Sequence, residues 1–192
     1  MAKRRVGILI SGRGSNMAAL IEAARVTDYP AEIVLVISNE PDAAGLNFAS
    51  SRDVPTAIIN HCDFASRDAF ADALDAKLRE AKTEFICLAG FMRLLATPFV
   101  ERWRGKMINI HPSLLPAFKG LDTHARALEA GVNKHGCTVH FVEPELDSGP
   151  IILQAEVPVL PGDDEPTLAA RVLKEEHRIY PEALRMLAEG KV

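Results

Sequence analysis

Asn109 and His111 stand two residues apart at the end of the apolar run Ile108-Asn109-Ile110-His111-Pro112. On an extended chain, residues two apart share a face, so this spacing sends the amide and the imidazole to one side and the isoleucines to the other. An amide N–H₂ and a ring N–H are two donors that can converge on one carbonyl oxygen, the arrangement that stabilises a tetrahedral adduct. Pro112 favours an extended His111 and stiffens the exit from the run. The same pair would equally serve to cap a strand end through hydrogen bonds to loop backbone.

A second segment with chemistry in it is Ser11-Gly12-Arg13-Gly14-Ser15-Asn16, which follows one apolar run and opens a helical pattern. Glycines there let the backbone approach a ligand, and a helix start offers unpaired N–H groups with partial positive charge. Met17 stands where the third glycine of GxGxxG would fall, and the segment is not a Walker loop. A dinucleotide or nucleoside triphosphate is therefore disfavoured and a single phosphate monoester fits better; the alternative is a tight turn with a serine cap.

The third is Glu143-Pro144-Glu145-Leu146-Asp147-Ser148-Gly149-Pro150. Three carboxylates in five residues usually form a solvated turn, and Asp-Ser-Gly is ordinary turn chemistry. An Asp147 that faced His111 would favour the charged ring and could accept a proton, directly or through water, from an attacking nucleophile.

Other candidates carry less. His135, Cys137 and His140 cluster, but Cys137, Val139 and Phe141 read as one apolar strand face with His140 opposite, and no further spaced group completes a metal site. Cys62 and Cys87 show no nucleophile signature and no nearby basic partner. His61 and His124 read as loop or helix-start residues, and Trp103 as a packing anchor rather than a base-stacking platform.

The elements that must position these residues alternate. Arg5–Ser11, Ala31–Ser38, Pro55–Asn60, Glu84–Ala89 and Lys106–His111 are apolar runs of strand length, the first two nearly continuous as in strands buried on both faces. Helical periodicity fills Asn16–Val26 and Ser66–Lys82. Strands separated by helices imply right-handed crossovers and a mostly parallel sheet. A loop from Pro112 to Asp122 then leads to a helix near Thr123–Ala130. Two strand-like runs follow, Cys137–Val142 and Ile151–Val159, joined by a short turn and read as an antiparallel pair. One or two helices close the chain from about Thr167 to Ala188. The expectation is a single α/β domain over residues 1–192, a three-layer, open, mostly parallel twisted sheet of Rossmann-like type with an antiparallel C-terminal addition. In such sheets ligands sit beyond the carboxyl ends of the strands.

Composition bounds the partners. With 22 Lys+Arg against 26 Asp+Glu, the net charge of −4 argues against an electrostatic grip on nucleic acid or an anionic membrane. Three cysteines without a CxxC make no disulfide framework. No apolar run approaches the ~20 residues of a membrane span, and the run Val6–Ile10 is too short for a signal core. A cytoplasmic protein is expected.

Gly12–Asn16, Ala89-Gly90-Phe91-Met92-Arg93-Leu94-Leu95, Asn109-Ile110-His111-Pro112-Ser113-Leu114-Leu115-Pro116 and Leu146-Asp147-Ser148-Gly149-Pro150 together resemble the folate-dependent formyltransferases. The likeness runs from about Arg5 to Pro181. The Asn-x-His-Pro-Ser-Leu-Leu-Pro motif is highly specific to that superfamily, and Gly14-Ser15-Asn16 is more specific to its ribonucleotide branch. The resemblance implies transfer of formyl from 10-formyltetrahydrofolate, a co-substrate, to the primary amine of glycinamide ribonucleotide in purine synthesis, with no metal. It implies that Asn109, His111 and Asp147 are the catalytic trio. Gly14, Ser15 and Asn16 would bind the substrate phosphate and Glu176 its ribose. On the folate side it implies Arg67, Met92, Arg93, Leu94 and Leu95, with Asn109 and the turn Glu143, Pro144, Glu145, Leu146 and Asp147, whose backbone would line the pterin. Pro144 departs from the family pattern, which usually has an acidic or apolar residue there. Proline is tolerable if that backbone contact uses C=O groups, but an N–H contact would be missing.

Sister formyltransferases act on methionyl-tRNA or a sugar amine. They are expected to carry a second domain, for which no residues remain after Val192, and tRNA would favour a basic surface. A formyltetrahydrofolate hydrolase would be expected to carry a domain ahead of the first strand. A non-catalytic phosphate-metabolite module would not need the Asn–His–Asp trio. The expected partners are the two small substrates, with no nucleic acid and no membrane, the chain acting as a monomer or homodimer.

Overall fold

A computed structural model describes residues 2–192. Seven strands form one sheet in the order β3-β2-β1-β4-β5-β6-β7. The strands are β1 (Arg4–Ile10), β2 (Ala31–Ser38), β3 (Thr56–Ile58), β4 (Phe85–Leu88), β5 (Met107–His111), β6 (Lys134–Phe141) and β7 (Ile151–Pro158). The first five pair in parallel, whereas β6 runs antiparallel to β5 and β7 antiparallel to β6.

Helices cover both faces. On one side α1 (Ser15–Ala24), α2 (Ala44–Ser50) and α6 (Glu165–Ala188) pack against Val6, Ile8, Ile10, Ile108, Ile110, Cys137 and Val139. α5 (Thr123–Glu129) adds Ala127 to that cluster. On the other side α3 (Arg67–Glu80) and α4 (Thr97–Arg102) pack Phe70, Leu74, Leu78, Phe99 and Val100 against Leu9, Ile37, Ile86 and Met107. This second cluster includes Met107 of β5 but no residue of β6. The helical layer therefore stops at β5, and the β5–β6 surface on that side is left for loops to cover.

Local signals explain the helix boundaries. Ser66 caps α3 by accepting from the Ala69 N–H at 3.1 Å, with Asp68 in the first turn and Lys77 and Arg79 in the last. Asp164 caps α6 through the Thr167 N–H at 2.9 Å. The close of the chain is one helix of 24 residues, which continues through Pro181. The ring removes one helical hydrogen bond, but Ile179, Tyr180, Ala183 and Leu184 are buried on either side of it and hold the helix to the sheet. Tyr180 Oη lies 2.9 Å from the Leu88 carbonyl and 3.1 Å from that of Ile108.

Two elements differ from expectation. The helix α2 has only seven residues, and its buried side is Gly45, Leu46 and Ala49, too small and short for a clear apolar period. β6 begins at Lys134, three residues before the expected start, because His135 and Gly136 pair with Val157 and Glu156. Trp103 closes α4 as a packing anchor, buried and donating through Nε1 to Asp75 at 2.8 Å. Cys87 and Cys137 are buried and Cys62 is exposed, all as free thiols. Among the described residues no helix is long and apolar enough to cross a membrane.

Candidate active site

β5 places Asn109 and His111 on the face of Met107, the side where the helical layer ends, while Ile108 and Ile110 enter the opposite core. His111 is 6% exposed. Its Nε2 lies 3.0 Å from the Phe118 carbonyl and its Nδ1 3.4 Å from Asp147 Oδ2. Both neighbours are acceptors, so the ring is fully satisfied when each nitrogen carries a hydrogen.

Asp147 reaches this face by an indirect route. The turn after β6 starts near the beginning of β5, where the Val142 N–H donates to Met107 O at 2.9 Å, and folds back over the sheet. Asp147 sits in it with φ 48°, a left-handed conformation that a short polar side chain tolerates. Its Oδ2 also accepts from the Gly120 N–H at 2.9 Å, which ties this turn to the loop leaving β5. The carboxylate is buried between the two loops.

The loop after β1 forms a second part of the site. Gly14, at φ 70°, caps α1 in the left-handed region, with no side-chain cap and no acidic residue in the first turn. Gly12, Gly14, Ser15 and Asn16 line a cavity of about 240 Å³ together with Ala89, Gly90 and Met92. Ser11 Oγ accepts from the Met92 N–H at 2.8 Å, fastening this loop to the one after β4. Asn16 Nδ2 donates to Glu176 Oε2 at 2.8 Å, so α6 delivers Glu176 to the same place from 160 residues away. The Asn16 Oδ1 atom is buried without a partner.

Burial raises the Glu176 carboxyl above its ordinary value, and the Asn16 hydrogen bond opposes the rise only in part. A carboxyl with a raised folded pKa costs the fold nothing while protonated, below its unfolded value. Stability is then lost as pH rises through the folded value. Glu176→Gln keeps an acceptor for Asn16 and removes that loss. Thermal melts of the two proteins should converge at acid pH and separate as pH rises, the glutamine variant melting higher. A wild type that melts higher at neutral pH would contradict this.

The expected folate-side residues are partly gathered. Met92, Arg93 and Leu94 are exposed on the loop after β4, with Leu95 half-buried. Phe91, beside them, stacks on Phe70 of α3 at 6.4 Å. That contact brings the start of α3, and with it the exposed Arg67, to the neighbourhood of this loop. In the turn, Glu143 pairs with Arg104 at 2.9 Å, and Pro144, Glu145 and Leu146 are exposed.

His140, which the sequence pattern does not mark as a site residue, sits in the site. It pairs across the ladder with Asn109, and its Nε2 lies 3.3 Å from Asn109 Nδ2 and 3.8 Å from Asp147 Oδ1. The period-2 reading that put it opposite Cys137 was right; the register that turns that face toward Asn109 was missing. Cys62 also differs from expectation, since His61 Nε2 stands 3.5 Å from its sulfur. His124 and His135 meet at 3.2 Å, and burial depresses the His135 ring to about 4. Among the described residues no group of three His, Cys, Asp or Glu side chains could hold a metal ion.

An open α/β sheet with a glycine-lined helix start at one strand tip and an Asn–His–Asp cluster at another defines a Rossmann-like protein whose polar groups lie along the carboxyl edge. The chain belongs to the formyl transferase family, whose profile matches residues 4–184. It is 53% identical over 190 residues to the trifunctional purine biosynthetic protein adenosine-3 of Drosophila pseudoobscura pseudoobscura, covering 98% of this chain and 14% of that protein. Thus the chain spans about a seventh of that relative's length. It is 44% identical over 185 residues to phosphoribosylglycinamide formyltransferase of Escherichia coli (strain K12), covering 96% of this chain and 87% of the relative. The crystal structure of phosphoribosylglycinamide formyltransferase from Brucella melitensis superposes with a TM-score of 0.93 at 54% identity, over 97% of this chain and 96% of that one.

Proposed function

We propose that this chain transfers the formyl group of 10-formyltetrahydrofolate to the primary amine of 5'-phosphoribosylglycinamide, yielding formylglycinamide ribonucleotide and tetrahydrofolate in de novo purine synthesis. The observation that carries this reading is the convergence of Asn109, His111 and Asp147, from one strand and one distant turn, on a single loop-covered face. Family membership supplies the chemistry to which that cluster is suited.

The residues divide the work as follows. The helix start at Gly14, Ser15 and Asn16 takes the phosphate, and Glu176 takes the ribose hydroxyls. The exposed apolar side chains of Met92, Leu94 and Leu146 suit a flat folate ring system, with Arg67 and Arg93 for its carboxylates. Proline at 144 leaves only a carbonyl for the pterin at that position. The amine nitrogen attacks the formyl carbon and forms a C–N bond, and the carbonyl oxygen takes the electron pair. Asn109 and protonated His111 donate to that oxygen. For His111 to do so through Nε2, the Phe118 carbonyl must give way, while Asp147 keeps hold of Nδ1. Asp147 accepts the proton lost by the amine, directly or through water. The carbonyl then re-forms as the bond from carbon to the folate nitrogen breaks, and that nitrogen takes the proton held by Asp147, directly or through water. We take residues 1–192 as one formyltransferase domain working in the cytoplasm on small molecules.

A paired assay tests this. The purified chain should form tetrahydrofolate from the formyl donor when glycinamide ribonucleotide is present and not when charged initiator tRNA replaces it. No turnover with both substrates present would remove the enzymatic reading. Equal activity on the tRNA would move it to a sister formyltransferase.

A further inference from the structure

His140 has 2% of its surface exposed and hydrogen-bonding neighbours at both ring nitrogens. Its Nδ1 lies 2.8 Å from the Phe141 carbonyl oxygen. A carbonyl can only accept, so Nδ1 must carry a hydrogen. In the neutral ring, that leaves Nε2 as a bare acceptor aimed at Asn109 Nδ2, 3.3 Å away. An amide nitrogen has two hydrogens, and this contact uses one. The other is free for a ligand oxygen on the same face. A flipped amide would turn Asn109 Oδ1 onto the Nε2 lone pair, oxygen against nitrogen with no hydrogen between them.

The surroundings keep the ring neutral. Burial lowers its pKa, and the charges of His111 on β5 and Lys119 in the loop after it act in the same sense. The Phe141 hydrogen bond and Asp147 oppose them. The Phe141 residue that supplies the carbonyl is itself fixed, its N–H donating to Pro150 O at 2.9 Å across the base of the turn.

We propose that His140 is a positioning residue that acts through Asn109: held as the Nδ1–H tautomer by the Phe141 carbonyl, it fixes the amide so that N–H₂, not oxygen, faces the transferred formyl group. The proposal rests on the reading of Asn109 as a donor to the adduct. A ligating histidine fixed at one nitrogen to orient the other is common in metal sites, and here the oriented group is an amide.

Two measurements test it. In the ligand-free wild type, long-range proton–nitrogen correlation spectra should show His140 protonated on Nδ1 alone at neutral pH. The Nε2–H tautomer or an imidazolium would overturn the proposal whatever the kinetics. In turnover assays, Asn109→Ala should lower kcat by about 10²–10³-fold. His140→Leu, which removes the acceptor, should lower kcat by roughly tenfold or more with KM for glycinamide ribonucleotide little changed. His140→Gln, which keeps a donor and an acceptor, should recover most of that loss. The Asn109→Ala/His140→Leu double variant should be no slower than Asn109→Ala alone. An unchanged kcat in Asn109→Ala would mean that the reading of Asn109 has failed. A slow Asn109→Ala with a normal His140→Leu, or losses that multiply in the double variant, would mean that this inference alone has failed.

Discussion

Asp147→Asn is expected to cut turnover by about 10²–10⁴-fold, the usual weight of a positioned proton acceptor, while glycinamide ribonucleotide still binds. The substitution is nearly isosteric, and asparagine can keep an oxygen toward the Gly120 N–H that Asp147 now engages at 2.9 Å. The two covering loops therefore stay tied. What disappears is the negative charge 3.4 Å from His111 Nδ1, and with it the proposed acceptor for the amine proton. The helix start at Gly14, Ser15 and Asn16, with Glu176, lies at another strand tip and is untouched. Single-turnover kinetics with a separate titration of substrate binding would check this. Turnover within a few-fold of wild type would remove Asp147 from the chemistry.

The second large effect is expected at Gly149. A Cβ there would overlap the Phe141 carbonyl oxygen, a backbone atom without room to yield. That carbonyl also accepts from His140 Nδ1, and the Phe141 N–H is paired with Pro150 O. Gly149→Ala must therefore push the two ends of the turn apart. Overpacking of this kind costs about 3 kcal/mol, which for a chain of this size is roughly 6–12 °C of Tm. Activity should fall further than stability explains, because Asp147 and His140 are carried by the displaced segments. Thermal melts and kcat measured below the lowered Tm would show both losses. A variant that melts and turns over like wild type would contradict the packing described for this turn.

The parts of the site that were legible in the sequence are those written within one element. Asn109 and His111 share a face because a strand alternates, and no neighbour is needed to know it. The glycine-lined start of α1 was readable for the same reason. Asp147 was visible as a candidate but not as a partner, since its place depends on a turn that curls back over the sheet rather than pointing beyond the strand tip. His140 was hidden by register. Its own alternation is plain, but only the pairing of Asn109 with His140 says which face meets which. Glu176 reaches Asn16 through the packing of the last helix on the first, a contact across 160 residues that no local period announces. In the fold, α2 was missed because Gly45 and Ala49 bury almost no apolar surface. The mostly parallel sheet and its antiparallel addition followed from strand spacing, since crossovers need length and hairpins do not.

The three thiols divide by accessibility in a way that gives the protein a ready-made reporter. Cys87 and Cys137 are held in the sheet with their thiols pushed up to about 12 by burial, so at neutral pH neither offers a thiolate to a reagent. Cys62 is exposed in the short turn His61–Asp63, with the His61 ring at its sulfur. A maleimide dye should therefore attach at one position in the unaltered chain. From there Phe64 touches Phe70 at 5.8 Å, and Phe70 stacks on Phe91 beside the loop that carries Met92 to Leu95. Fluorescence from a single label on the native protein would thus sit three aromatic rings from the Met92–Leu95 loop, close enough to register its movement without any engineered cysteine.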